Sequence, residues 1–322
     1  MSFPVFPEGV PIAPISSIKY SELNKSAKEV LECCSTVGFF YLDLSGHSIT
    51  SKADEIREIA VSSFRLPAEE KMKYHLQKGV SLAGYKAPGT VKKTDETHRP
   101  DTTEFFNVFT DHITGTTDSI QYPPHLIEHK ALLKQFSQDA HAIGNEILSV
   151  LADQLSIPSS EFTSRNSFST SSQSHIRLTH KIPHEGADAV GLPSHTDFGS
   201  VTVLFTWLGG LQIQHQGEWK YVKPLKNHAI INLGDAIVHL TNGALLSAKH
   251  RVVDAPKEQN KLDRYSVVYF VRPNNQVEMK PLERFLNDDT PRKRVGGKFE
   301  QEEGVVLSAE EWIRRRAAQL GS

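Results

Sequence analysis

Apolar residues in the first part of the chain recur at the spacing of amphipathic helices, with one short strand among them. Residues 21–36 predict a helix with Ser21 as its N-cap, because its apolar side chains fall on one face. Residues 38–42 predict a strand, and residues 49–64 predict a second helix. A third helix is predicted to begin at Pro67, since proline suits a first turn and the glutamates that follow suit the positive end of the helix dipole.

Residues 77–124 lack this periodicity and are rich in Gly, Thr, Asp and Pro. A segment of this length without strong periodicity is often functional, so we predict a lid, with residues 84–108 walling the pocket together with the C-terminal segment. Residues 125–155 then place apolar side chains on one stripe of a long helix, which predicts packing against a large surface.

The pattern changes after a Ser- and Thr-rich link at residues 159–174. Short alternating segments with Gly, Asn and Asp between them predict the strands of a sandwich or barrel. These segments are residues 176–182, 201–205, 211–214, 219–222, 229–233, 236–240 and 265–271. A final helix is predicted at residues 309–320, where acidic and basic side chains form i,i+4 pairs.

The patterns together predict one compact unit built from four segments. Residues 1–124 form a helical and strand region with lid loops, and residues 125–155 form a supporting helix. Residues 156–290 form the β core, and residues 291–322 form a C-terminal loop and helix.

Composition narrows the class of protein. The chain of 322 residues has a net charge of −2, which does not favour a nucleic-acid partner. No apolar stretch is long enough for a membrane span, and the first residues lack the pattern of a signal peptide. The two cysteines, Cys33 and Cys34, are adjacent and unsuited to a disulfide with each other. We therefore expect a cytoplasmic protein without a membrane partner; the sequence does not indicate its oligomeric state.

Two histidines and an aspartate form the strongest chemical pattern. His195 and Asp197 are separated by one residue and precede a predicted strand, and His250 follows the turn signal at residues 242–243. Two imidazoles and one carboxylate are the facial triad of non-haem Fe(II) oxygenases, and they leave three positions of an octahedron open. A closed structural zinc site would need four protein ligands, whereas a catalytic zinc ion stays compatible with this set.

Arg264 and Ser266 add a second binding element. They lie two residues apart on a predicted strand and therefore on the same face. An arginine and a hydroxyl can together hold a carboxylate next to the metal. The alternative is an exposed arginine paired with Asp263 or Asp254.

The chain resembles the Fe(II)/2-oxoglutarate-dependent oxygenase superfamily, and within it the branch related to isopenicillin N synthase. The resemblance extends from about residue 10 to residue 275 and implies a mainly β, α+β fold: a double-stranded β-helix (jelly-roll) core with a helical N-terminal region. It is carried by His195-Thr196-Asp197-Phe198-Gly199, Asn232-Leu233-Gly234-Asp235, Thr241-Asn242-Gly243, His250-Arg251-Val252, Arg264-x-Ser266, Gly38-Phe39-Phe40, Phe64–Lys71, Gly84-Tyr85 and residues 101–106.

The resemblance also implies the cofactors and the reaction. His195, Asp197 and His250 would bind Fe(II), while Arg264 and Ser266 would hold 2-oxoglutarate as co-substrate beside dioxygen, with ascorbate as a reductant. The expected reaction is oxidation of a C–H bond of a small molecule in specialised metabolism, by hydroxylation, desaturation or ring formation. No catalytic residue beyond the metal site is predicted.

Three further residues are predicted to reach the pocket. Related enzymes often carry R-L-x-x-Y-P before the metal pair, whereas this chain has Lys181 at the tyrosine position, two residues before Pro183. We expect Lys181 to pair with an anionic group such as 2-oxoglutarate, with a solvated lysine as the alternative. Phe270 and Phe198 are predicted to line the substrate pocket, with ordinary core packing as the alternative for Phe270.

Three other functions compete with this interpretation. His125, Glu128 and His129 match the H-x-x-E-H pattern of zinc peptidases, although both histidines fall on the predicted inward stripe of the long helix. An oxidase related to isopenicillin N synthase would use the same scaffold without 2-oxoglutarate, and succinate release would distinguish it. An inactive relative that only binds a partner is the third.

Overall fold

The computed structural model describes residues 3–77, 81–90, 100–183, 190–286 and 305–319. The strands are β1 (Ser17–Lys19), β2 (Phe39–Asp43), β3 (Gly84–Lys86), β4 (Thr103–Phe109), β5 (His175–Lys181), β6 (Leu192–His195), β7 (Val201–Thr206), β8 (Leu211–His215), β9 (Glu218–Tyr221), β10 (His228–Leu233), β11 (His250–Val252), β12 (Arg264–Val271), β13 (Glu278–Met279) and β14 (Leu307–Ser308). The helices are α1 (Ala27–Thr36), α2 (Ile49–Phe64), α3 (Ala68–Met72), α4 (Thr110–Thr114), α5 (Pro124–Glu128), α6 (Lys130–Gln154), α7 (Ser160–Thr163), α8 (Asp235–Leu240) and α9 (Ala309–Gln319).

Two sheets of unequal size form the β core. The larger sheet has the strand order β1-β2-β10-β7-β12-β5-β4-β3, and the smaller sheet has the order β6-β11-β8-β9. Neighbouring strands are antiparallel except β1 and β2, which are parallel. Most neighbours in the larger sheet are far apart in sequence, so long-range pairing holds the core together.

The two faces of the larger sheet have different partners. Its outer face packs against helices α2 and α6, with Val267, Tyr269 and Val271 of β12 in the main hydrophobic cluster. Gly144 of α6 allows a close approach, because a Cβ there would lie 2.6 Å from Val271 Cγ2. The inner face meets the smaller sheet, where Phe39 of β2 packs with Ile213 of β8 in a second cluster. The space between the sheets holds the polar side chains described below.

Several predicted elements are present with shifted ends. Helix α2 has the predicted bounds, and strands β5, β7, β10 and β12 begin or end within one residue of their predictions. The first predicted helix starts later, at Ala27, after a short 3-10 turn at Tyr20–Glu22. Residues 77–124 contain strands β3 and β4 and helix α4, so the predicted lid is in part a pair of sheet strands.

Two predictions are wrong. Residues 236–240 form helix α8 instead of a strand, with Asp235 in the first turn. The predicted helix at residues 125–155 is two helices, because the chain leaves helical geometry at His129, whose φ and ψ are −96° and 17°. None of the helices in the described ranges has the length and apolar character that crossing a membrane requires.

The four predicted segments share hydrophobic clusters. The main cluster takes residues from the N-terminal region, the supporting helix and the β core. A smaller cluster joins Ala236 of the core to Trp312 and Ile313 of α9. The predicted loop at residues 291–304 lies outside the described residues. Cys33 and Cys34 are both buried and free.

Candidate metal centre

His195 and His250 face each other across two strands of the smaller sheet. His195 ends β6, His250 begins β11, and the antiparallel register places the two residues opposite each other. Their ring centroids are 4.3 Å apart. The ring of Phe39 from the larger sheet packs edge-on against His250, with 5.5 Å between centroids. Strand pairing therefore brings together two residues that are distant in the sequence.

Asp197 completes a three-residue cluster just beyond the end of β6. Its Oδ1 atom lies 3.9 Å from His195 Nε2 and 3.7 Å from His250 Nε2. Two ligands of one divalent ion with bonds of about 2.1 Å lie at most about 4.2 Å apart, and both distances are below this limit. Among the described residues this is the only group of three such side chains close enough to hold a metal ion.

Hydrogen bonds fix the tautomer of both imidazoles. His195 Nδ1–H donates to the Pro193 carbonyl oxygen at 2.8 Å, and His250 Nδ1–H donates to the Ala248 carbonyl oxygen at 3.1 Å. In the tautomers that these bonds favour, each Nε2 atom can donate its lone pair to a metal, and each lies within 4 Å of Asp197 Oδ1. Burial, together with the neighbouring His250, lowers the pKa of His195 to about 4, so this imidazole is neutral near pH 7.

Hydrogen bonds also orient the carboxylate of Asp197. Its Oδ2 atom accepts hydrogen bonds from Thr202 Oγ1 and Asn232 Nδ2, both at 2.7 Å, and Oδ1 is left to face the two imidazoles. Burial alone would raise the pKa of Asp197, but the histidines and these two donors hold it below its ordinary value. Two imidazoles and one ionised carboxylate fit Fe(II), and their remaining polar atoms are already bonded.

Arg264 and Ser266 lie on the inner face of β12, as their spacing predicts. Arg264 is 4% exposed, its Nε–H donates to the Gly209 carbonyl oxygen at 2.7 Å, and burial lowers its pKa to about 10. No ion pair joins it to a carboxylate within the described residues. The exposed, paired arginine offered as the alternative is therefore absent: Asp263 bonds to His180, and Asp254 pairs with Lys181. Ser266 Oγ hydrogen-bonds with Thr179 Oγ1 across β5 and β12.

Lys181 lies directly opposite Arg264 in the sheet, but its charge has a partner in the protein. Its side chain is 3% exposed and forms an ion pair with Asp254. The alternative of a solvated lysine is therefore wrong. The predicted contact with 2-oxoglutarate stays a prediction, since the ammonium group would have to contact a carboxylate of 2-oxoglutarate as well as that of Asp254.

The two predicted pocket phenylalanines lie in different surroundings. Phe270 is buried on the inner face of β12, opposite Thr202 of β7, whose hydroxyl group bonds to Asp197. Phe198 packs beside the cluster that contains Trp312 of α9, with the guanidinium carbon of Arg316 5.2 Å from its ring centroid. Phe270 is thus close to the metal centre, and Phe198 faces the C-terminal helix.

Sequence reasoning missed a group of polar residues on the same inner face. Arg177 and His175 of β5 and Arg272, just after β12, surround Phe270. Burial lowers the pKa of Arg177 to about 10 against the opposing effect of Asp197, and it also lowers the pKa of His175 well below its ordinary value. Alternation within β5 could have shown that Arg177 and His175 share a face with Lys181.

The peptidase pattern does not form a site. His125 lies in α5, where Nε2 is 2.6 Å from Ser63 Oγ, whereas His129 lies at the break between two helices and is exposed. The expectation that both histidines point inward is wrong for His129. Without a continuous helix the two imidazoles no longer share one face at i and i+4.

Comparison with known proteins gives two family matches. Residues 172–273 match the 2OG-Fe(II) oxygenase superfamily, and residues 10–129 match the N-terminal region described as non-haem dioxygenase in morphine synthesis. A 2-oxoglutarate-dependent dioxygenase of Aspergillus fumigatus is 31% identical over 319 residues, covering 86% of this chain and 80% of the relative. The 2-oxoglutarate-dependent dioxygenase tropC of Talaromyces stipitatus is 31% identical, covering 81% of this chain and 83% of the relative.

Solved structures confirm the predicted fold. A full-length Neurospora crassa protein, solved in complex with alpha-KG, superposes with a TM-score of 0.76 at 24% identity, covering 97% of both chains. A 2OG-Fe(II) oxygenase family protein from Caulobacter crescentus superposes with a TM-score of 0.77 at 24% identity, covering 95% of this chain and 99% of the other. The two facing sheets are therefore the jelly-roll core of this fold, with helices against the outer face.

Proposed function

The chain belongs to the 2OG-Fe(II) oxygenase superfamily, and on that premise we propose that His195, Asp197 and His250 hold its iron. The protein is an Fe(II)- and 2-oxoglutarate-dependent dioxygenase that acts on a small molecule. The observation that carries the ligand assignment is the convergence of two Nε2 atoms on Asp197 Oδ1, while the Nδ1 atoms and Oδ2 are occupied by hydrogen bonds.

The three proposed ligands would hold the iron and set the charge of the centre, while the cofactors would supply the chemistry. Bound iron and 2-oxoglutarate provide the activation of dioxygen for attack on a C–H bond. The protein contributes a single negative charge from Asp197, so Fe(II) held there would keep a net positive charge that can attract the carboxylate of 2-oxoglutarate. Thr202 and Asn232 hold the carboxylate in place, which keeps Oδ1 free for the metal.

We assign the distal carboxylate of 2-oxoglutarate to Arg264 and Ser266. Among the described residues Arg264 makes one hydrogen bond, through Nε, which leaves the rest of its guanidinium group for a charge-assisted pair. A buried cation of this kind favours a bound anion. Ser266 would add its hydroxyl group, which in the free protein is shared with Thr179.

We propose that the organic substrate comes from specialised metabolism. Support comes from the N-terminal match, whose description refers to morphine synthesis. The C–H oxidation ends in hydroxylation, desaturation or ring formation. The relatives named as 2-oxoglutarate-dependent dioxygenases favour a dioxygenase that consumes 2-oxoglutarate over an oxidase that works without it.

An anaerobic titration with Fe(II) and 2-oxoglutarate tests the ligand assignment. The wild type should bind one iron per chain and develop the charge-transfer band of an Fe(II)–2-oxoglutarate complex, and in air it should release succinate. Asp197→Ala should lose both the bound iron and the charge-transfer band. Asp153→Ala, a matched change at an exposed helical position, should keep both. Stoichiometric iron in Asp197→Ala would refute the assignment, and turnover without succinate would support the oxidase.

A further inference from the structure

Two arginines near the metal centre have no charge partner among the described residues. Arg272 follows β12 and is 3% exposed, and its Nε and Nη1 atoms are buried without a hydrogen-bond acceptor. Arg177 of β5 is half-buried, and its Nε–H donates to Asn107 Oδ1 at 2.8 Å. Neither side chain forms an ion pair with a described residue. Unpaired buried charge is costly, so a side chain such as Arg272 calls for a functional explanation.

Both guanidinium groups pack against one aromatic ring. The guanidinium carbon of Arg177 is 5.0 Å from the centroid of Phe270, and that of Arg272 is 5.8 Å from the same centroid. Arg177 also stacks on Phe105, with 4.1 Å from its guanidinium carbon to the ring centroid. Packing against rings fixes where both cations lie without neutralising them.

This arginine pair is adjacent to the metal centre. Phe270 pairs in register with Thr202, and Thr202 Oγ1 donates to Asp197 Oδ2. Asp197 is also the carboxylate that acts electrostatically on both arginines, while burial and the like charge of Arg177 lower the pKa of Arg272 to about 9. Because Asp197 is already engaged with two donors and two imidazoles, the pair retains a net positive charge.

The arginine pair is distinct from the proposed 2-oxoglutarate site. Arg264 is the first residue of β12, and Arg272 follows its last residue, so the two lie eight residues apart. At roughly 3.4 Å per residue, their backbones are about 27 Å apart in an extended strand. One small dicarboxylate bound at Arg264 cannot also neutralise Arg272.

We propose that Arg177 and Arg272 form a subsite for the carboxylate of the organic substrate, with Phe270 beside it. The proposal rests on the proposed function, since it places the substrate next to the iron ligands. The substrate is then an organic acid, and its charged end fixes which C–H bond faces the metal. Two guanidinium groups offer paired donors that suit a carboxylate.

The test uses protein loaded with Mn(II) in place of iron and saturated with 2-oxoglutarate. Carboxylic acids are compared with the primary amides of the same skeleton, including phenylacetate with phenylacetamide and benzoate with benzamide, by thermal shift and calorimetry. At least one acid should bind more tightly than its amide. Arg272→Met and Arg177→Met should each weaken that acid by about 10- to 100-fold, the usual effect of losing a hydrogen bond to a charged group. Arg284→Met, at an exposed position, should not.

The outcomes separate this proposal from the proposed function. Failure of the wild type to bind Mn(II) and 2-oxoglutarate overturns the proposed function. If both bind, the proposed subsite is wrong in either of two cases. The first is that no acid binds more tightly than its amide, and the second is that Arg272→Met binds the acid with unchanged affinity. Loss of 2-oxoglutarate binding in Arg272→Met would reassign the pair to the co-substrate. Wild-type crystals soaked with 4-bromophenylacetate remain decisive if the variants misfold: the carboxylate should lie between Arg177 and Arg272, and any other position overturns the proposal.

Discussion

Buried cations occur in two different settings in this molecule. In the first, each cation pairs with a carboxylate of the protein: Lys71 with Glu104, Lys86 with Asp101, Lys181 with Asp254 and Arg316 with Asp235. In the second, on and near the inner face of β5 and β12, three arginines form no ion pair with a described residue: the buried Arg264 and Arg272 and the half-buried Arg177. We call these the paired set and the unpaired set.

We interpret the difference as a division between charges that stabilise the fold and charges that are proposed to bind ligands. A carboxylate partner offsets much of the cost of burying a cation, so removing that partner destabilises the fold. The unpaired arginines carry that cost in the free protein, and a bound anion can offset it. On the proposals above, the unpaired set faces the ligands, and we expect it to reduce stability in their absence.

The largest expected effect separates the two sets by stability. Asp101→Asn removes the carboxylate from Lys86, whose side chain is 7% exposed, and should lower the unfolding free energy by about 3–5 kcal/mol. Arg272→Met should leave it unchanged or raise it by about 1–4 kcal/mol, because an unpaired buried charge is lost. Urea denaturation of the metal-free protein measures both. A loss of several kcal/mol in Arg272→Met would remove the distinction between the sets.

A smaller effect, on the binding of 2-oxoglutarate, should come from a change at Arg264, the first residue of β12. Arg264→Lys keeps the charge but loses the planar group that pairs with a carboxylate through two hydrogen bonds. We expect the dissociation constant of 2-oxoglutarate to rise by about 10- to 100-fold, while the unfolding free energy of the ligand-free protein stays the same. Calorimetry with Mn(II)-loaded protein measures the dissociation constant of 2-oxoglutarate. Unchanged affinity would show that Arg264 belongs to the fold and not to the ligand.

The smallest effect concerns pH. Burial, Arg272 and Arg177 hold the pKa of His175 well below 6.5 in the folded state, whereas the unfolded chain binds a proton there near pH 6.5. Stability from this residue is therefore complete above pH 6.5 and is lost as the pH falls, by up to about 1.4 kcal/mol per unit. His175→Gln should show a shallower decline between pH 6.5 and 5 in denaturation experiments. Equal slopes in both proteins would contradict the assigned environment.

The metal cluster was open to prediction because its chemistry restricts the residue types. His195 and Asp197 are close in sequence, and strand pairing alone was needed to bring His250 to them. The strands of the larger sheet were predicted from alternation and apolar runs. Residues 236–240 were predicted as a strand but lie in helix α8, because a run this short and mostly apolar fits the two-residue period of a strand and the 3.6-residue period of a helix equally well.

The unpaired arginines were missed for a different physical reason. Alternation within β5 shows that Arg177 lies on the polar face of its strand, and polar faces are ordinarily assigned to solvent. Here that face looks into the space between two sheets. Whether a second sheet covers a strand depends on long-range pairing, which a local pattern does not contain. Burial of Arg272 is likewise set by residues distant in sequence, including Phe198.

The three-ligand cluster has a practical consequence for handling the protein. Two imidazoles and a carboxylate bind first-row divalent ions with affinities that increase from manganese through iron and nickel to copper, so ferrous iron is not the tightest occupant. Selection then depends on which ions the cell supplies. We expect protein purified over a nickel resin or grown in zinc-rich medium to carry the wrong ion, so chelation and anaerobic reconstitution with a ferrous salt should precede any assay.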